Sequence, residues 1–210
     1  VATLEVLLDH GATADLRMNG GAGDTALTLA CAKGRLDCVV KLLAAKASVD
    51  LESSAGVMPL HSACEHNNAK IANLLLNAGA TVDPPLTLAN GTTTRLTPLY
   101  AAARRGHDEC MRVCLKAGAD INLVNREMGA PLYAAVCGAS ATSVRILLRA
   151  KADVNAAGGS GSPTALCAAC HPSVHGIEQG PTHSDKLVEC AKALLEGGAD
   201  VNAPTDGGRS

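Results

Sequence analysis

Short apolar runs separated by small and polar residues recur along the whole chain. Leu74–Leu76 and Ile146–Leu148 are two of these runs. A hydroxyl residue before proline, as in Thr97-Pro98, favours a helix start, and a glycine such as Gly118 favours a helix end. The pattern therefore predicts pairs of short α-helices. Helices of about eight to ten residues are too short to persist alone in water, so we expect each pair to stack on its neighbours.

A regular spacing connects these helix pairs. One marker is a leucine that follows a Thr, Ala or Pro residue, and it recurs at intervals of 33, 39, 33 and 34 residues, at Leu27, Leu60, Leu99, Leu132 and Leu166. The second marker is an alanine after each leucine-rich run, at Ala12, Ala47, Ala80, Ala119, Ala152 and Ala199. The base period is 33 residues, and the longer intervals predict insertions in loops.

The residues around the recurring leucine share a motif. The five sites are Thr25-Ala26-Leu27-Thr28, Met58-Pro59-Leu60-His61, Thr97-Pro98-Leu99-Tyr100, Ala130-Pro131-Leu132-Tyr133 and Thr164-Ala165-Leu166-Cys167. They resemble the T-P-L-H-x-A signature of ankyrin repeats, and the resemblance covers nearly all of the chain. It implies an all-α fold, an α-solenoid of stacked antiparallel helix pairs with β-hairpin-like fingers.

The same spacing predicts how the chain is divided. We expect a single ankyrin repeat domain over 1–210, with a partial repeat at 1–23, full repeats at 24–56, 57–95, 96–129 and 130–162, and a repeat at 163–210 interrupted by an insertion at about 174–184. The next repeat would begin at Ser210 and no polar cap repeat is visible, so the sequence predicts a fragment of a longer array or of a multidomain protein.

Both insertions leave two interpretations open. The insertion at 83–95 contains a Pro pair and a Thr run that favour an extended or β-like tip. In one interpretation, Leu86 and Leu88 contact a binding partner there. In the other, the segment is simply a longer mobile hairpin. The insertion at 174–184 is either a partner-specific or regulatory loop or a tolerated surface insertion, and the second is favoured because lengthening a loop costs little.

Composition excludes several function classes. Eighteen basic and 20 acidic residues give a net charge of −2, and the chain has two Tyr and no Trp or Phe. Without a basic face or a stacking platform, nucleic-acid binding is not expected. No apolar stretch reaches the roughly 18 residues that a membrane span needs, and the first ten residues lack the basic start of a signal peptide. Nine cysteines are an odd set for a disulfide scaffold and favour an intracellular location, first of all the cytoplasm, with the nucleus left open.

One cysteine motif suggests a metal or haem. Cys167-Ala168-Ala169-Cys170-His171 fits the C-x-x-C-H pattern of haem attachment, and His175 and His183 follow it, which would also suit zinc. The repeat register favours packing instead, because Cys170 falls at the position of Cys31 and Cys64, where we expect a small buried residue. We therefore predict no metal and no cofactor. Since nucleophile elbows and phosphate-binding loops are also absent from the sequence, we predict no enzymatic activity.

The resemblance implies a protein-binding role. Tyr100 and Tyr133 occupy the His position of the motif, which in the family lies near the concave face, and with Arg104 and Arg105 they would form an aromatic and basic patch. The alternative is that both tyrosines only replace a structural His. We predict a non-catalytic protein-protein interaction module, a monomeric scaffold or adaptor, that binds a protein through its fingers and first helices: Arg17, Met18, Leu86, Leu88, Tyr100, Arg104, Arg105, Arg126, Glu127 and Tyr133. The alternative is a regulatory region of a larger enzyme or channel.

The family resemblance also implies a modification. Family members can be hydroxylated on the Asn of the Gly-Ala-Asp-Val-Asn segment that follows the second helix of a repeat, when a Leu lies six residues before the Asp. Asn155 and Asn202 match that pattern through Leu147 with Asp153 and through Leu194 with Asp200. Turn stabilisation by the side-chain amide is the alternative explanation of both residues.

Overall fold

The computed structural model describes most of the chain in two compact units, Val1–Pro98 and Leu99–Ser210. The described residues are 2–17, 23–84, 86–87, 93–94, 96–125, 129–156, 158–159, 164–170 and 181–203. Helices account for nearly all of the regular structure in these ranges, so the all-α prediction is confirmed. Within the same ranges, no helix combines the length and the apolar content needed to cross a bilayer.

The described part of the first unit contains five helices and one small β-ladder. The helices are α1 (Ala2–Asp9), α2 (Ala26–Ala32), α3 (Leu36–Ala44), α4 (Pro59–Glu65) and α5 (Ala69–Asn77). The strands β1 (Leu86–Thr87) and β2 (Thr93–Thr94) pair antiparallel, with Leu86 opposite Thr94. Helices α2 and α3 form one pair, α4 and α5 form the next, and α2 packs on α4 while α3 packs on α5.

The second unit repeats this arrangement. Helix α6 (Pro98–Arg105) starts at the boundary residue, and α7 (Asp108–Lys116), α8 (Pro131–Cys137), α9 (Ala141–Arg149), α10 (Ala165–Cys170) and α11 (Pro181–Glu196) follow. Helix α8 packs on α9 and α10, and α11 packs on α9 and α10. Helix α11 begins at Pro181, so the last four residues of the predicted insertion at 174–184 are helical, and 174–180 lie outside the described residues.

Local capping explains where the helices begin and end. The Thr25 hydroxyl accepts a hydrogen bond from the Thr28 amide at 3.0 Å, and Pro59 and Pro131 occupy the first turn of their helices. After α7, Gly118 has a left-handed φ of +89°, and the Ala119 amide donates to the Cys114 carbonyl at 3.1 Å. This is the geometry that ends a helix at glycine, as the sequence predicts.

The core is built from equivalent aliphatic positions. The first-helix leucines and the second-helix leucines are almost completely buried in each unit: Leu27, Leu42, Leu60 and Leu75 in the first, and Leu99, Leu132, Leu147 and Leu194 in the second. Small buried residues lie one turn along the first helices, at Ala30, Ala63, Ala102 and Ala135. Because alanine lets helix backbones approach closely, the core needs no Phe or Trp. The predicted stacking of helix pairs is confirmed, whereas the division into a single domain of numbered repeats stays a prediction.

A repeated side-chain hydrogen bond joins the segments that follow successive second helices inside each unit. An Asp or Asn oxygen accepts the backbone N–H of a residue one repeat later. The bonds measure 2.8 to 3.0 Å and join Asp15 to Ser48, Asp50 to Thr81, Asn122 to Asp153 and Asn155 to Asp200. Both Asp and Asn offer the required oxygen, so Asp15 and Asp50 in the first unit and Asn122 and Asn155 in the second make the same bond.

Candidate functional site

The predicted binding residues are only partly described by the structure. Arg17 is exposed and pairs with Thr25 in an isolated antiparallel bridge, and Leu86 belongs to strand β1. Met18, Leu88, Arg126 and Glu127 lie outside the described residues. For these four side chains the binding role remains a prediction from the sequence.

The two tyrosines lie inside the second unit. Tyr100 on α6 and Tyr133 on α8 are each 4% exposed, so their rings belong to the core around the first helices. Burial raises the pKa of Tyr100 to about 12, although the positive charge of Arg104 and, to a smaller extent, a hydrogen bond with its guanidinium lower it. This burial favours the alternative in which the tyrosines replace a structural His, while direct contact with a partner stays a prediction.

Arg104 links the buried residues to the surface. Its side chain is exposed, hydrogen-bonds Tyr100 one turn earlier on α6, and lies close enough to Cys137 on α8 to influence that thiol. Burial raises the pKa of Cys137 to about 11, so the thiol stays protonated near neutral pH. The structure thus brings Tyr100, Arg104 and Cys137 together, and Cys137 is a member of this cluster that the sequence patterns did not single out.

The candidate hydroxylation residues, Asn155 and Asn202, lie in the segments that follow the second helices α9 and α11. The Asn155 side-chain oxygen accepts the Asp200 amide at 2.8 Å, and the Asn155 amide donates to Asp153 at 3.0 Å. The Asn202 amide donates to Asp200 at 2.9 Å, and both asparagines are exposed. Turn stabilisation is therefore visible for Asn155, and hydroxylation of either residue stays a prediction.

The cysteines are present as thiols, and most are buried. All nine lie within the described residues, and burial raises the pKa of Cys31 to about 12 and of Cys190 to about 11. The expectation of a buried position was wrong for Cys170, which is exposed, whereas Cys31 and Cys64 at the same repeat position are buried. No group of three metal-ligating side chains occurs among the described residues, and His171, His175 and the His183 side chain fall outside them.

His61 is an unusual polar group in the first unit. Its Nδ1 atom is buried on α4 and has no hydrogen-bond partner among the residues that the structure describes. Burial lowers the pKa of His61, while the nearby Glu65 carboxylate raises it to a smaller extent. The imidazole is therefore neutral in the folded chain near neutral pH. The motif predicts a structural role for this position, and neutrality is compatible with that role.

Two open cavities occur in the parts of the chain that the structure describes. The first unit has an apolar one of about 360 Å³, whose lining includes Leu4, Leu16 and Leu29. The second unit has a polar one of about 440 Å³, whose lining includes Arg105 and Lys186. Sequence patterns missed the second cavity because its residues come from three helix pairs and become neighbours only when the pairs stack.

Comparison with known proteins gives consistent matches. A family model described as ankyrin repeats in three copies matches residues 1–85 and 83–158. Human ankyrin repeat and SOCS box protein 16 is 38% identical over 117 residues, which are 56% of this chain and 24% of that protein. Human ankyrin repeat and KH domain-containing protein 1 is 36% identical over 104 residues, which are 50% of this chain and 4% of that protein.

A solved structure resembles the whole chain. The crystal structure of the human ASB11 ankyrin repeat domain superposes with a TM-score of 0.81 at 28% sequence identity. The match covers 100% of this chain and 84% of that one. By contrast, the chain spans about a quarter or less of the length of the two human sequence relatives named above.

Proposed function

This chain belongs to the ankyrin repeat family, and from that premise we propose that it is a non-catalytic protein-protein interaction module, acting as a monomeric scaffold or adaptor. Repeats of this family are typically protein-binding modules, and no enzyme family is evident among the matches. The proposed partner is another protein. The thiol state of all nine cysteines supports an intracellular location, with the cytoplasm as our first choice.

The proposed binding surface consists of the fingers and first helices named above. One observation in particular supports this binding surface. Arg104 is exposed while its guanidinium is anchored by the hydroxyl of a buried tyrosine on the same helix. An anchored side chain loses less conformational freedom when a partner binds, so more of its interaction energy is available for affinity. In this arrangement Tyr100 positions Arg104 even though the tyrosine ring itself is buried.

Charge indicates what kind of partner suits this surface. In the second unit, α6 carries Arg104 and Arg105, whereas α8 and α10 have the sequences PLYAAVC and ALCAAC without any charged residue. The positive charge of these first helices is therefore confined to the exposed Arg104 and Arg105 on α6, since α8 is buried from Pro131 to Val136 and most of α10 is buried too. A partner segment with acidic side chains would be complementary.

The experiment begins by identifying a partner. The 210-residue chain is used as bait, captured proteins are identified by mass spectrometry, and affinity is then measured with the purified partner. Arg104→Ala should weaken binding about tenfold, because charged hydrogen bonds across interfaces commonly contribute that much. Arg112→Ala is the matched control, since Arg112 is an exposed arginine on α7, the second helix of the same pair. Equal affinity of both variants and the wild type would contradict the proposed surface.

Tyrosine variants distinguish positioning from contact. Tyr100→Phe keeps the buried ring and removes the hydroxyl that holds Arg104. If Tyr100 acts through Arg104, this variant should weaken binding and add little to the loss in Arg104→Ala. Unchanged partner binding together with lowered stability in Tyr100→Ala would instead assign both tyrosines to packing alone.

A second candidate is the regulatory ankyrin region of a larger enzyme or channel. Its support is the small share of the relatives' length that this chain covers, 24% and 4% in the two human proteins. The sequence of the parent transcript tests it, because this candidate requires a catalytic or channel domain in the same polypeptide. A parent with binding domains only would leave the adaptor function as the better explanation.

We also propose Asn155 and Asn202 as hydroxylation positions. Support comes from their exposure and from the family sequence pattern around them. Intact-mass analysis after treatment with an asparaginyl hydroxylase should show one added oxygen for each modified residue. Persistence of the added mass in the Asn155→Ala and Asn202→Ala double variant would exclude these two positions.

A further inference from the structure

The polar cavity of the second unit combines features of an anion-binding site. It lies where the α6–α7 and α8–α9 turns meet the first turns of α11, is open to solvent, and has a volume of about 440 Å³. We propose that this cavity binds an anionic side chain of a partner protein, a carboxylate or a phosphate, at a site that shares only Arg105 with the finger and first-helix surface. Its other lining residues come from the two turns and from the second helices α9 and α11, and none of them belongs to the surface proposed above.

Two cations from different elements line the cavity. Arg105 ends α6 and Lys186 lies in the second turn of α11, and both side chains are exposed. Lys186 forms no ion pair with any residue that the structure describes. An arginine offers planar paired donors and a lysine offers a compact point charge, and together they suit an anionic group with several oxygens.

The carboxylate at the cavity edge is already compensated. Glu189 accepts a hydrogen bond from Lys192 at 2.8 Å and lies 3.8 Å from the Arg145 guanidinium. The hydrogen bond and charge of Lys192, with a smaller effect of Arg145, lower the pKa of Glu189. Glu189 therefore stays ionised and is paired with Lys192 and Arg145, neither of which is among the lining residues named for the cavity.

The cavity wall adds uncharged donors. Ala141 and Thr142 open helix α9, and their backbone N–H groups have no acceptor within the described residues, as expected in the first turn of a helix. The exposed Thr142 hydroxyl lies beside them. The Ser140 hydroxyl is already engaged, because Ser143 donates its own hydroxyl proton to Asp108 at 2.8 Å and therefore accepts the hydroxyl proton of Ser140 at 2.9 Å.

Two of the lining residues, Gly106 and Gly138, have no side chain, and packing gives the reason. A Cβ atom at Gly138 would overlap the carbonyl oxygen of Arg104, so only glycine fits this packed turn. A side chain at Gly106 would approach the Ser140 hydroxyl to 3.3 Å. The absence of side chains on both turns keeps the space between Arg105 and Lys186 open to a ligand.

An NMR titration of the 210-residue chain tests the proposal. The probes are inorganic phosphate and three short peptides that differ only in a central glutamate, phosphoserine or serine. Binding of a charged probe should shift the Ala141 and Thr142 amide resonances in a saturable way, and the serine peptide should not. The glutamate and phosphoserine peptides distinguish a carboxylate ligand from a phosphate ligand, and the phosphate titration shows whether the peptide context is needed.

Variants decide whether the cavity is responsible. Lys186→Gln and Arg105→Gln should each weaken binding about tenfold, the usual effect of losing one charged hydrogen bond. Glu189→Gln removes the only carboxylate among the lining residues and should strengthen binding. Lys116→Gln is the matched control, because Lys116 is an exposed lysine in the last turn of α7, outside the cavity.

Three results would overturn the inference. They are equal affinity of Lys186→Gln and wild type, shifts that spread over exposed lysines and arginines generally, and the lack of saturable binding for every probe. Lys186→Gln tests the cavity apart from the finger and first-helix surface, because Lys186 is not part of that surface, and Arg104→Ala removes no residue that lines the cavity. Loss of partner binding in Arg104→Ala with unchanged anion binding would support both sites separately.

Discussion

Three leucines at one repeat position test how much stability the stacked neighbours supply. Leu7, Leu42 and Leu75 follow each other at intervals of 35 and 33 residues in the second helices of the first unit. Leu75 is 0% exposed and Leu42 is 1% exposed, whereas Leu7 on α1 is 54% exposed. The same truncation to alanine should therefore have very different effects at Leu75 and Leu7.

The expected magnitudes follow from burial. Truncating Leu75 removes three fully buried carbons, at about 0.8 kcal/mol each. The enclosed void that remains adds a cavity contribution, so Leu75→Ala should lower the free energy of unfolding by about 3 to 4 kcal/mol. At Leu7 about half of the side chain is already in water and no enclosed void is left. Leu7→Ala should therefore cost about 1 kcal/mol or less.

Urea unfolding followed by far-ultraviolet circular dichroism provides the measurement, since the chain has no Trp for fluorescence. Stacked repeats can unfold in more than one step, so hydrogen exchange of the α5 amides should accompany it as a local probe. Agreement of the two variants within about 0.5 kcal/mol would refute the reasoning, because stability would then not depend on the burial of this position.

Three further outcomes are expected from other contacts. Burial keeps His61 neutral in the folded chain, while the unfolded chain takes up a proton below its usual pKa of 6.5. Stability should therefore be complete above pH 6.5 and fall below it, and urea midpoints should vary less with pH in His61→Gln. Asn155→Ala removes the acceptor of the Asp200 amide and should cost about 1 kcal/mol, whereas Asn155→Asp retains an acceptor and should cost less. Unfolding curves that show the two variants equal would contradict a role for the bond. Gly138→Ala places a carbon against the Arg104 carbonyl and should lower the free energy of unfolding by roughly 1 to 3 kcal/mol, and an unchanged thermal midpoint would contradict the close approach.

Capping and periodicity made much of the fold predictable. Thr25 and Gly118 act through hydrogen bonds and backbone angles within a few residues, so their effect on helix ends is legible in the sequence. The position of Cys170 shows the limit of the same method. It matches buried cysteines by register, yet it is exposed. Register gives the position in a repeat, but burial depends on what packs around it.

The residues of the candidate sites were likewise only partly predictable from the sequence. Arg104 and Arg105 were singled out as cations of one helix, and the anchoring of Arg104 by Tyr100 joins residues one turn apart. Lys186 was not singled out, because nothing near it in the sequence distinguishes it from other exposed lysines. Its place beside Arg105 arises only after α11 stacks on its neighbours.

The sequence by itself determined the family, the helix pairs and their period, because these follow from short-range signals repeated along the chain. The tertiary structure decided that both tyrosines are buried, that Leu7 is half in water while Leu75 is not, and that a polar cavity joins Arg105 to Lys186. The physical reason is the range of the interactions. Hydrogen bonds that cap a helix join residues close in sequence, whereas burial and cavities are made by neighbours a repeat or more away.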